Sequence, residues 1–443
     1  MEEGNGPVKS FKISVEGALE AAIELHQRGE IEEAVALYGD ILTADPGNAD
    51  ASHFLGVARH QLGDSDEAIE LLQNSLERAP GNVNAINNLG NIFSEVGELA
   101  RAEECYRKVL ELAPRHTDTL INIAVAQRGL GKAGEALEVI KKAIEIDPEH
   151  PLAWHNLGNA YRDLKKFDEA LSAYRESERL EPISAKASLE IARILVLIDK
   201  KDEAIEVVER VLTREPDNAI AHHMMASLGV ADLPDRASDD YVRDTFDSFA
   251  GSFDEALARL DYMAPRLVAD EVLAFAGDRK LDMLDIGCGT GLCGPLLRPV
   301  ARRLVGVDLS APMLAQAKRR RVYDQLAEAE LTEYLRQADA QYDAIICVDT
   351  LVYFGKIEDA VAAAATRLCA GGCLVFTVER HGEDVSEEAY RLQHHGRYSH
   401  SDGYISATVS AAGLELVRLE HIVPRMESGE KVSGALVVAR KPQ

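Results

Sequence analysis

The chain is poor in cysteine, in long apolar runs and in the features of a targeting peptide. Its six cysteines are too few for a disulfide framework in 443 residues, and those at 288, 293, 369 and 373 lack zinc-ligand spacing. The longest apolar run, from Ile194 to Ile198, is too short to cross a bilayer. The first ten residues have no basic and apolar signal regions. We therefore expect a cytoplasmic protein with no metal and no membrane segment.

Positive charge is also scarce. The chain has 48 Lys and Arg against 75 Asp and Glu, a formal net charge of −27. Binding to nucleic acid needs Lys and Arg concentrated near the phosphates, so nucleic acid is not an expected partner. The hydrophobic content of 46% is sufficient for ordinary packed cores, and the length predicts two or three globular domains.

A proline recurs every 34 residues through the first half of the chain, which indicates a repeat architecture. An alanine lies twelve residues before each proline, where a small side chain lets two antiparallel helices approach. In four repeats a glycine five residues before that alanine supplies the turn between the helices. The prolines are Pro46, Pro80, Pro114, Pro148, Pro182 and Pro216; the alanines are Ala34, Ala68, Ala102, Ala136, Ala170 and Ala204; the glycines are Gly29, Gly63, Gly97 and Gly131.

The repeats resemble the tetratricopeptide repeat. One unit carries its signature in full, with Trp154, Leu157, Gly158, Tyr161, Ala170, Tyr174 and Pro182. The resemblance implies an α-solenoid of six repeats from Val15 to Asp217, covered by a further helix from Ala219 to Gly229. Lys165 and Asp199 replace the turn glycine in the last two repeats. We expect a flexible N-terminus at 1–14, the solenoid at 15–230, a linker at 231–240 and a second domain at 241–443.

Asparagines recur on the first helix of successive repeats. Asn88, Asn122 and Asn156 occupy its sixth position, and Asn91 and Asn159 follow one turn later. These five residues, here called the amide ladder, resemble the side chains with which O-GlcNAc transferase holds a peptide backbone. The resemblance implies a protein or peptide partner in the groove. Two alternatives remain open: the amides are solvated or cap local backbone, or the array is a homo-oligomer interface.

The second half begins with an apolar run, Leu281 to Ile286, that leads into a glycine-rich turn. Gly287, Gly289 and Gly291 alternate with Cys288 and Thr290, and Asp285 precedes them. Glycines let backbone approach a ligand closely, and N–H groups at the start of a following helix favour a negative group. The even spacing differs from the G-x-G-x-x-G pattern of nicotinamide sites.

Strand and helix patterns alternate after this turn, which predicts a parallel sheet covered on both faces. The last two predicted strands are joined by a turn at 427–430 and should form an antiparallel hairpin. The seven predicted strands are Leu281 to Ile286, Leu304 to Leu309, Gln325 to Glu330, Tyr342 to Asp349, Gly372 to Glu379, Glu415 to His421 and Lys431 to Ala439.

This layout resembles class I S-adenosylmethionine-dependent methyltransferases, with a Rossmann-like seven-stranded domain. Nearly the whole chain is similar to a bacterial group of methyltransferases with tetratricopeptide repeats. The resemblance rests on the repeats and on 241–254, 285–292, 307–310, 349–355 and 397–401. It implies an α plus α/β architecture, S-adenosyl-L-methionine as cofactor and a transferase of class EC 2.1.1.

The same resemblance implies a cofactor site. Asp308, at the end of the second strand, would hold the ribose hydroxyls. Glu330 would accept from the adenine amino group, with Asp339 as a competitor. The full set implied by the resemblance is Asp285, Gly287, Cys288, Gly289, Thr290, Gly291, Asp308, Leu309, Met313, Glu330, Leu331, Val348 and Asp349.

An aromatic segment precedes the sheet. Tyr241, Phe246, Phe249 and Phe253 are spaced near one helical face. They predict either a helix docked on the next domain or a lid over a flat cationic ligand, which Tyr262 could join. In the lid interpretation Tyr241 and Phe249 contact the cofactor.

Methyl transfer to an acceptor of high pKa needs a base, and His400, Asp349 and Tyr353 are the main candidates, with His394, His395 and Tyr398 as weaker ones. The sequence lacks the D-P-P-Y motif used on DNA bases. Three functions stay open. They are a methyltransferase whose repeats recruit a protein or peptide, a methyltransferase for a small metabolite or carbohydrate precursor whose repeats serve assembly, and a catalytically silent scaffold.

Overall fold

A computed structural model describes residues 14–247, 249–381, 388–427 and 430–443 of the chain. All but the last residue of the predicted flexible N-terminus lies outside the described residues. The chain divides into two compact units, of which the first ends at Lys166 and the second begins at Phe167. This division falls between the two helices of the fifth predicted repeat, whereas the sequence placed the domain linker at 231–240.

The first unit consists of paired antiparallel helices. Each pair packs on the next, as the 34-residue period predicts. The helices are α1 (Val15–Gln27), α2 (Ile31–Ala44), α3 (Ala49–Gln61), α4 (Ser65–Arg78), α5 (Val83–Glu95), α6 (Leu99–Leu112), α7 (Thr117–Gly129), α8 (Ala133–Ile146) and α9 (Pro151–Asp163).

Small residues and turn conformations explain the pairing. The repeated alanines, such as Ala68 and Ala102, are completely buried between helices. The turn glycines adopt positive φ angles, for example +81° at Gly29. Lys165 and Asp199, which replace that glycine, adopt the same left-handed conformation with φ of 59° and 60°. The repeat geometry therefore imposes this conformation even on residues that rarely adopt it.

The second unit begins with helical repeats and continues into an α/β domain. Its helices are α10 (Phe167–Leu180), α11 (Ala185–Leu197), α12 (Lys201–Arg214), α13 (Ala219–Ser227), α14 (Asp239–Asp247), α15 (Phe253–Ala258), α16 (Ala264–Ala276), α17 (Gly294–Leu297), α18 (Ala311–Arg319), α19 (Leu331–Gln337), α20 (Glu358–Arg367) and α21 (Asp402–Ala411).

The strands of this domain agree with the predicted series and add four short ones. They are β1 (Leu281–Ile286), β2 (Ala301–Asp308), β3 (Gln325–Glu328), β4 (Tyr342–Cys347), β5 (Leu368–Arg380), β6 (Tyr390–Leu392), β7 (Tyr398–His400), β8 (Glu415–Ile422), β9 (Met426–Glu427), β10 (Glu430–Lys431) and β11 (Gly434–Arg440).

The main sheet has the order β3-β2-β1-β4-β5-β11-β8, and β7 and β6 extend it beside the end of β5. The strands β1 to β5 are parallel to one another, and β11 runs antiparallel to both β5 and β8. The predicted antiparallel pairing of the last two long strands is confirmed. Ser428 and Gly429 of the predicted turn lie outside the described residues.

Apolar residues pack on both faces of the sheet, as expected for a parallel arrangement. Residues of α16 and α17, including Val268 and Leu297, cover one face. The other face packs against α19, α20 and α21 through residues such as Leu335 and Val361. The strand order reverses at β1, which lies between β2 and β4. Ligands of such sheets bind at the carboxyl ends of the strands beside this reversal.

Residues 235–237 are held against the α/β domain. The Ala237 N–H donates to the Tyr353 carbonyl at 2.8 Å, and the Gly355 and Lys356 N–H groups donate to the Asp235 carbonyl at 2.9 and 2.8 Å. Residues 236 and 354 form an antiparallel bridge. This part of the predicted linker is therefore fixed by backbone hydrogen bonds.

Candidate active site

A pocket with an empty volume of about 960 Å³, open solvent included, lies at the carboxyl ends of β1, β2 and β4. Its position at the reversal of strand order is where sheets of this kind bind ligands. Thirteen residues predicted for the site line it: Asp285, Gly287, Cys288, Gly289, Thr290, Asp308, Leu309, Met313, Glu330, Leu331, Val348, Asp349 and Tyr353.

The glycine-rich turn forms one wall. Gly287 has a φ of +70°, and a Cβ added there would overlap the Thr350 hydroxyl oxygen. The Gly287 and Cys288 N–H groups donate to the Val307 carbonyl at 2.8 and 3.0 Å. The following helix, α17, begins only at Gly294 and is a single turn of four residues. The expectation that helix-start N–H groups cradle a negative group is therefore not met.

Two carboxylates occupy the ends of β2 and of the segment after β3. Asp308 accepts from the Gly289 N–H at 2.8 Å and from the Ser310 N–H at 2.9 Å, one on each oxygen. Glu330 caps α19, and its Oε2 accepts from the Glu333 N–H at 2.8 Å. Its Oε1 is buried and has no hydrogen-bond partner. An unpaired buried acceptor in a pocket indicates a site for a ligand donor.

Asp285 lies beneath the glycine-rich turn with 1% of its surface exposed. The Tyr323 hydroxyl donates to its Oδ2 at 2.7 Å. Burial raises the pKa of Asp285 to about 7, although the Tyr323 hydrogen bond opposes the shift.

Asp349 follows β4 in the left-handed conformation, with a φ of 50°. Its N–H donates to the Thr377 hydroxyl at 2.8 Å, and that hydroxyl donates to Asp349 Oδ1 at 2.9 Å. Its Oδ2 accepts from Arg425 Nη1 at 2.6 Å. This ion pair ends a buried network in which Arg425 also pairs with Glu379 and Glu427.

Aromatic rings form a further part of the pocket lining. Phe246 contacts Tyr353 edge to face with ring centroids 5.5 Å apart, and Phe253 lies 6.0 Å from Phe246. Burial raises the pKa of Tyr353 above its usual range, so this phenol is a poor base at neutral pH. The pKa of Tyr262 is raised too, first by burial and also by the Asp349 charge.

Asp254 connects the aromatic segment to the glycine-rich turn. The Thr290 hydroxyl donates to Asp254 Oδ1 at 2.5 Å, and Arg320 pairs with Oδ2. Arg320 Nε also donates to the Thr290 carbonyl at 2.6 Å. These contacts fix the start of α15, and therefore Phe253, at the mouth of the pocket.

The structure does not bring His400 to the pocket. His400 is fully buried, and its Nε2 donates to the carbonyls of Phe354 and Gly355 at 2.8 and 3.2 Å. Burial lowers the pKa of this imidazole to about 4. We therefore do not carry forward the role of general base predicted for His400.

Tyr241, Phe249 and Gly291 also lie outside the set of described residues that line the pocket. Tyr241 is buried against α13, with its ring centroid 3.9 Å from that of His223. Phe249 is 37% exposed and packs on Phe253. The helical spacing that linked these aromatics ends at Asp247, the end of α14. Phe246 and Phe253 therefore face the pocket in their place.

Sequence reasoning missed several lining residues. The Arg236 side chain and Ala237 come from the predicted linker, and Thr350 packs on Gly287. Only the adjacency of Thr350 to Asp349 could have indicated it. The lining residues not predicted as cofactor contacts or as a base are Arg236, Ala237, Val242, Phe246, Phe253, Tyr262, Pro265, Leu292, Cys293, Val307, Ala329, Thr350 and Phe354.

In the first unit, the amide ladder is internally hydrogen-bonded. The Asn88 amide donates to His53 Nε2 at 2.9 Å. Asn91 Oδ1 accepts from the Tyr106 hydroxyl at 2.9 Å and from the Asn122 amide at 3.2 Å. The Asn156 amide donates to a backbone carbonyl of its own helix at 2.9 Å, and Asn159 is as buried as Asn156. Much of the amide capacity is therefore used within the repeats.

None of the helices in the described part of the chain is both long and apolar enough to cross a membrane. Within the same residues, no three His, Cys, Asp or Glu side chains gather as metal ligands would.

The pocket residues fit S-adenosylmethionine, the cofactor that the sequence implied. Glu330 Oε1 can accept from an adenine amino group, and Asp308 keeps lone pairs for ribose hydroxyls. The described lining residues include four carboxylates and one guanidinium, that of Arg236. This excess of negative charge suits a ligand that carries a sulfonium and an ammonium group.

Comparisons with known proteins agree with this geometry. A family model described as a methyltransferase domain matches residues 284–376. Tetratricopeptide repeat models match residues 25–89, 82–149 and 151–183.

Curated relatives match about a quarter of the chain. A malonyl-[acyl-carrier protein] O-methyltransferase of Enterobacter lignolyticus is 33% identical over 113 residues, 25% of this chain and 45% of that protein. Human methyltransferase-like protein 27 is 37% identical over 110 residues, 24% of this chain and 45% of its own. The chain thus spans about half the length of these relatives. Magnesium protoporphyrin IX methyltransferase from Synechocystis, solved with bound SAH, aligns at 15% identity with a TM-score of 0.37, covering 46% of this chain and all of that one.

Proposed function

Because this chain joins tetratricopeptide repeats to a methyltransferase domain, we propose that it is an S-adenosylmethionine-dependent methyltransferase whose repeats bind a protein or peptide and deliver it for modification. The observation that carries the proposal is the pocket beside the reversal of strand order, with Glu330 Oε1 as an unpaired acceptor inside it. A cytoplasmic location belongs to the same proposal.

Bound S-adenosylmethionine supplies an electrophilic methyl group. The protein residues bind and orient ligands around it. Asp308 and Glu330 would hold the nucleoside, and the glycine-rich turn lets the backbone approach it. Phe246, Phe253 and Tyr353 exclude water from the far side of the pocket, where proximity and desolvation supply most of the acceleration.

The repeats would recruit the partner through the groove on their first helices. The carbonyl of Asn88 and that of Asn122 accept no bond in the ladder described above, so each can accept from a peptide N–H. A second candidate acceptor is a small metabolite, with the repeats serving assembly. It is favoured by the internal hydrogen bonds of the ladder, which leave fewer amides for a peptide.

The test measures cofactor binding and transfer separately. Calorimetry with S-adenosylmethionine should give a measurable Kd for the whole chain, and Asp308→Ala should weaken it by at least tenfold because two anchor oxygens are lost. Asp339→Ala is the matched control, since Asp339 does not line the pocket. Unchanged affinity of the Asp308 variant would contradict the cofactor site.

Transfer is measured with the repeats as bait. Proteins that bind the first 230 residues are captured, incubated with the whole chain and cofactor, and examined for an added methylene mass. The proposal is supported if a captured partner becomes methylated and if the Asn122→Ala and Asn88→Ala variants no longer bind that partner. Turnover of a small acceptor by a chain without residues 1–218 would favour the second candidate, and cofactor binding without any product would indicate a silent scaffold.

A further inference from the structure

A buried ionic network lies behind the pocket wall at Asp349. Its centre is Arg425, which is 5% exposed and precedes β9. Arg425 donates to Asp349 at 2.6 Å, to Glu427 at 2.8 Å and also to Glu379. Arg425 does not itself line the pocket, so it reaches a ligand only through Asp349.

A second arginine holds the same carboxylates. Arg397 donates to Glu379 and to Glu427, each at 2.6 Å. His395 Nε2 lies 3.6 Å from Glu379; burial first, and Arg397 as well, lower the pKa of His395 to about 4. This histidine is therefore neutral at pH 7. The network has two guanidinium groups and three carboxylates, and of these five groups Asp349 is the one that lines the pocket.

The backbone of Asp349 shows what the network does. A residue other than glycine keeps a positive φ only where its surroundings fix it. Asp349 has a φ of 50° and is fixed by Thr377 on its N–H and Oδ1 and by Arg425 on Oδ2. Without these partners the chain after β4 could relax, and the carboxylate would leave the pocket wall.

Both oxygens of Asp349 thus accept strong hydrogen bonds already. Tyr262, which also lines the pocket, is hydrogen-bonded to Asp349 as well. A carboxylate has about four acceptor sites, so Asp349 can accept one more hydrogen bond, from a ligand N–H.

We propose that Arg425 is a positioning residue: its ion pair fixes Asp349 as a hydrogen-bond acceptor for an N–H group of the ligand, and Asp349 thereby orients this ligand. The inference rests on the proposed function, in which the ligand is S-adenosylmethionine, whose ammonium carries such N–H groups. Of the two roles that the sequence predicted for Asp349, cofactor contact and general base, the inference takes the first and adds Arg425 as the residue that fixes it.

The test is a double-mutant cycle on cofactor affinity in the full chain. Arg425→Lys keeps the charge but loses the fork that serves three carboxylates, and Asp349→Asn keeps the shape of the side chain. Each single variant should raise the Kd for S-adenosylmethionine about tenfold. Because each single variant already loses the same ion pair, the Kd of the double variant should also rise about tenfold and not about a hundredfold.

Arg380→Lys is the matched control. Arg380 ends β5 and pairs with Asp402 at 3.1 Å, outside the pocket. The Kd of Arg380→Lys for S-adenosylmethionine should stay within twofold of the wild-type value. Thermal melting of all variants establishes that each is folded.

Two results overturn the inference: a folded Arg425→Lys that binds like the wild type, or losses that multiply in the double variant. A wild-type chain that binds no S-adenosylmethionine overturns the proposed function instead. In that case the same double-mutant cycle is measured by urea unfolding. Arg425 and Asp349 act as a pair if the stability lost in the double variant is less than the sum of the losses in the two single variants. They do not act as a pair if the losses add.

Discussion

At the scale of single residues, burial decides which titratable groups can do chemistry at neutral pH. His400 has no exposed surface, and its pKa lies near 4 because the charged imidazole would be buried. Asp285, equally buried, has its pKa raised to about 7. A proton at Asp285 is therefore in exchange near neutral pH, whereas His400 stays neutral.

The depressed pKa of His400 predicts acid sensitivity. An unfolded histidine titrates near 6.5, so the unfolded state binds more protons than the folded one between about pH 4 and 6.5. Stability contributed by neutral His400 is present above pH 6.5 and lost as the pH falls through this window, by roughly 3 kcal/mol. Urea unfolding should show that the free energy of unfolding falls between pH 7 and 4 in both proteins, and that the fall is smaller in His400→Gln than in the wild type by about this amount.

His421→Gln is the control, because His421 is exposed and pairs with Asp402 at 2.7 Å. Equal acid sensitivity of wild type and His400→Gln would contradict the assignment of His400 as a buried neutral group. Methyl transfer that persists in His400→Gln would agree with the absence of His400 from the pocket lining.

Residues in local motifs could be predicted from the sequence, and residues chosen by tertiary packing could not. Asp308 and Glu330 follow strands whose ends meet by topology, so a resemblance was enough to place them. His400 is the last residue of β7, a strand too short to be recognised from the sequence, and it packs against Phe354 and Tyr404. Arg425 is distant in sequence from Asp349, and no local pattern joins them.

At the scale of elements, the aromatic segment is two short helices and not one. Because α14 ends at Asp247 and α15 begins at Phe253, a single helical periodicity cannot describe their faces. The contact that aligns α15 with the glycine-rich turn is Asp254. The sequence could predict the helical character of this segment but not which rings enter the pocket.

We expect Asp254→Asn to loosen this segment. The substitution weakens the ion pair with Arg320 while it keeps an acceptor for Thr290, and the half-exposed pair should cost about 1 kcal/mol. The dissociation rate of S-adenosylmethionine, measured by stopped-flow fluorescence, should therefore rise about fivefold. Asp270→Asn, in an exposed pair on α16, should leave the rate unchanged, and an unchanged rate in Asp254→Asn would refute the role of this contact.

Strand ends were predicted less well than strand centres. The predicted strand at 342–349 ends at Cys347 because Asp349 turns into the left-handed region. The strand at 325–330 ends at Glu328 because Glu330 caps α19. In both places a residue that lines the pocket interrupts the regular strand pattern, as residues of functional sites often do.

At the scale of the whole molecule, α13 belongs to the same compact unit as the α/β domain. His223 Nε2 donates to the Gly396 carbonyl at 2.8 Å, and its ring lies against Tyr241. The repeat period could predict α13 as a cover for the solenoid, but its contacts with the turn between β6 and β7 have no signal in the sequence.

A chain shortened to residues 219–443 should therefore be more stable than one shortened to residues 231–443. The shorter chain loses a buried hydrogen bond and the His223–Tyr241 ring contact, each worth about 1 kcal/mol. Urea unfolding should show a difference of roughly 2 kcal/mol. His223→Ala in the longer chain should reproduce about half of it, and equal stability of the two shortened chains would contradict this prediction.

The bridge between residues 236 and 354 restricts where the repeat array of this chain could be exchanged for another. The segment that leaves the repeats supplies Arg236 and Ala237 to the wall of the pocket. A repeat array exchanged at residue 240 would remove part of that wall together with the old repeats. A junction upstream of α13 would keep Arg236, Ala237 and their contacts with residues 353 and 354 in one piece.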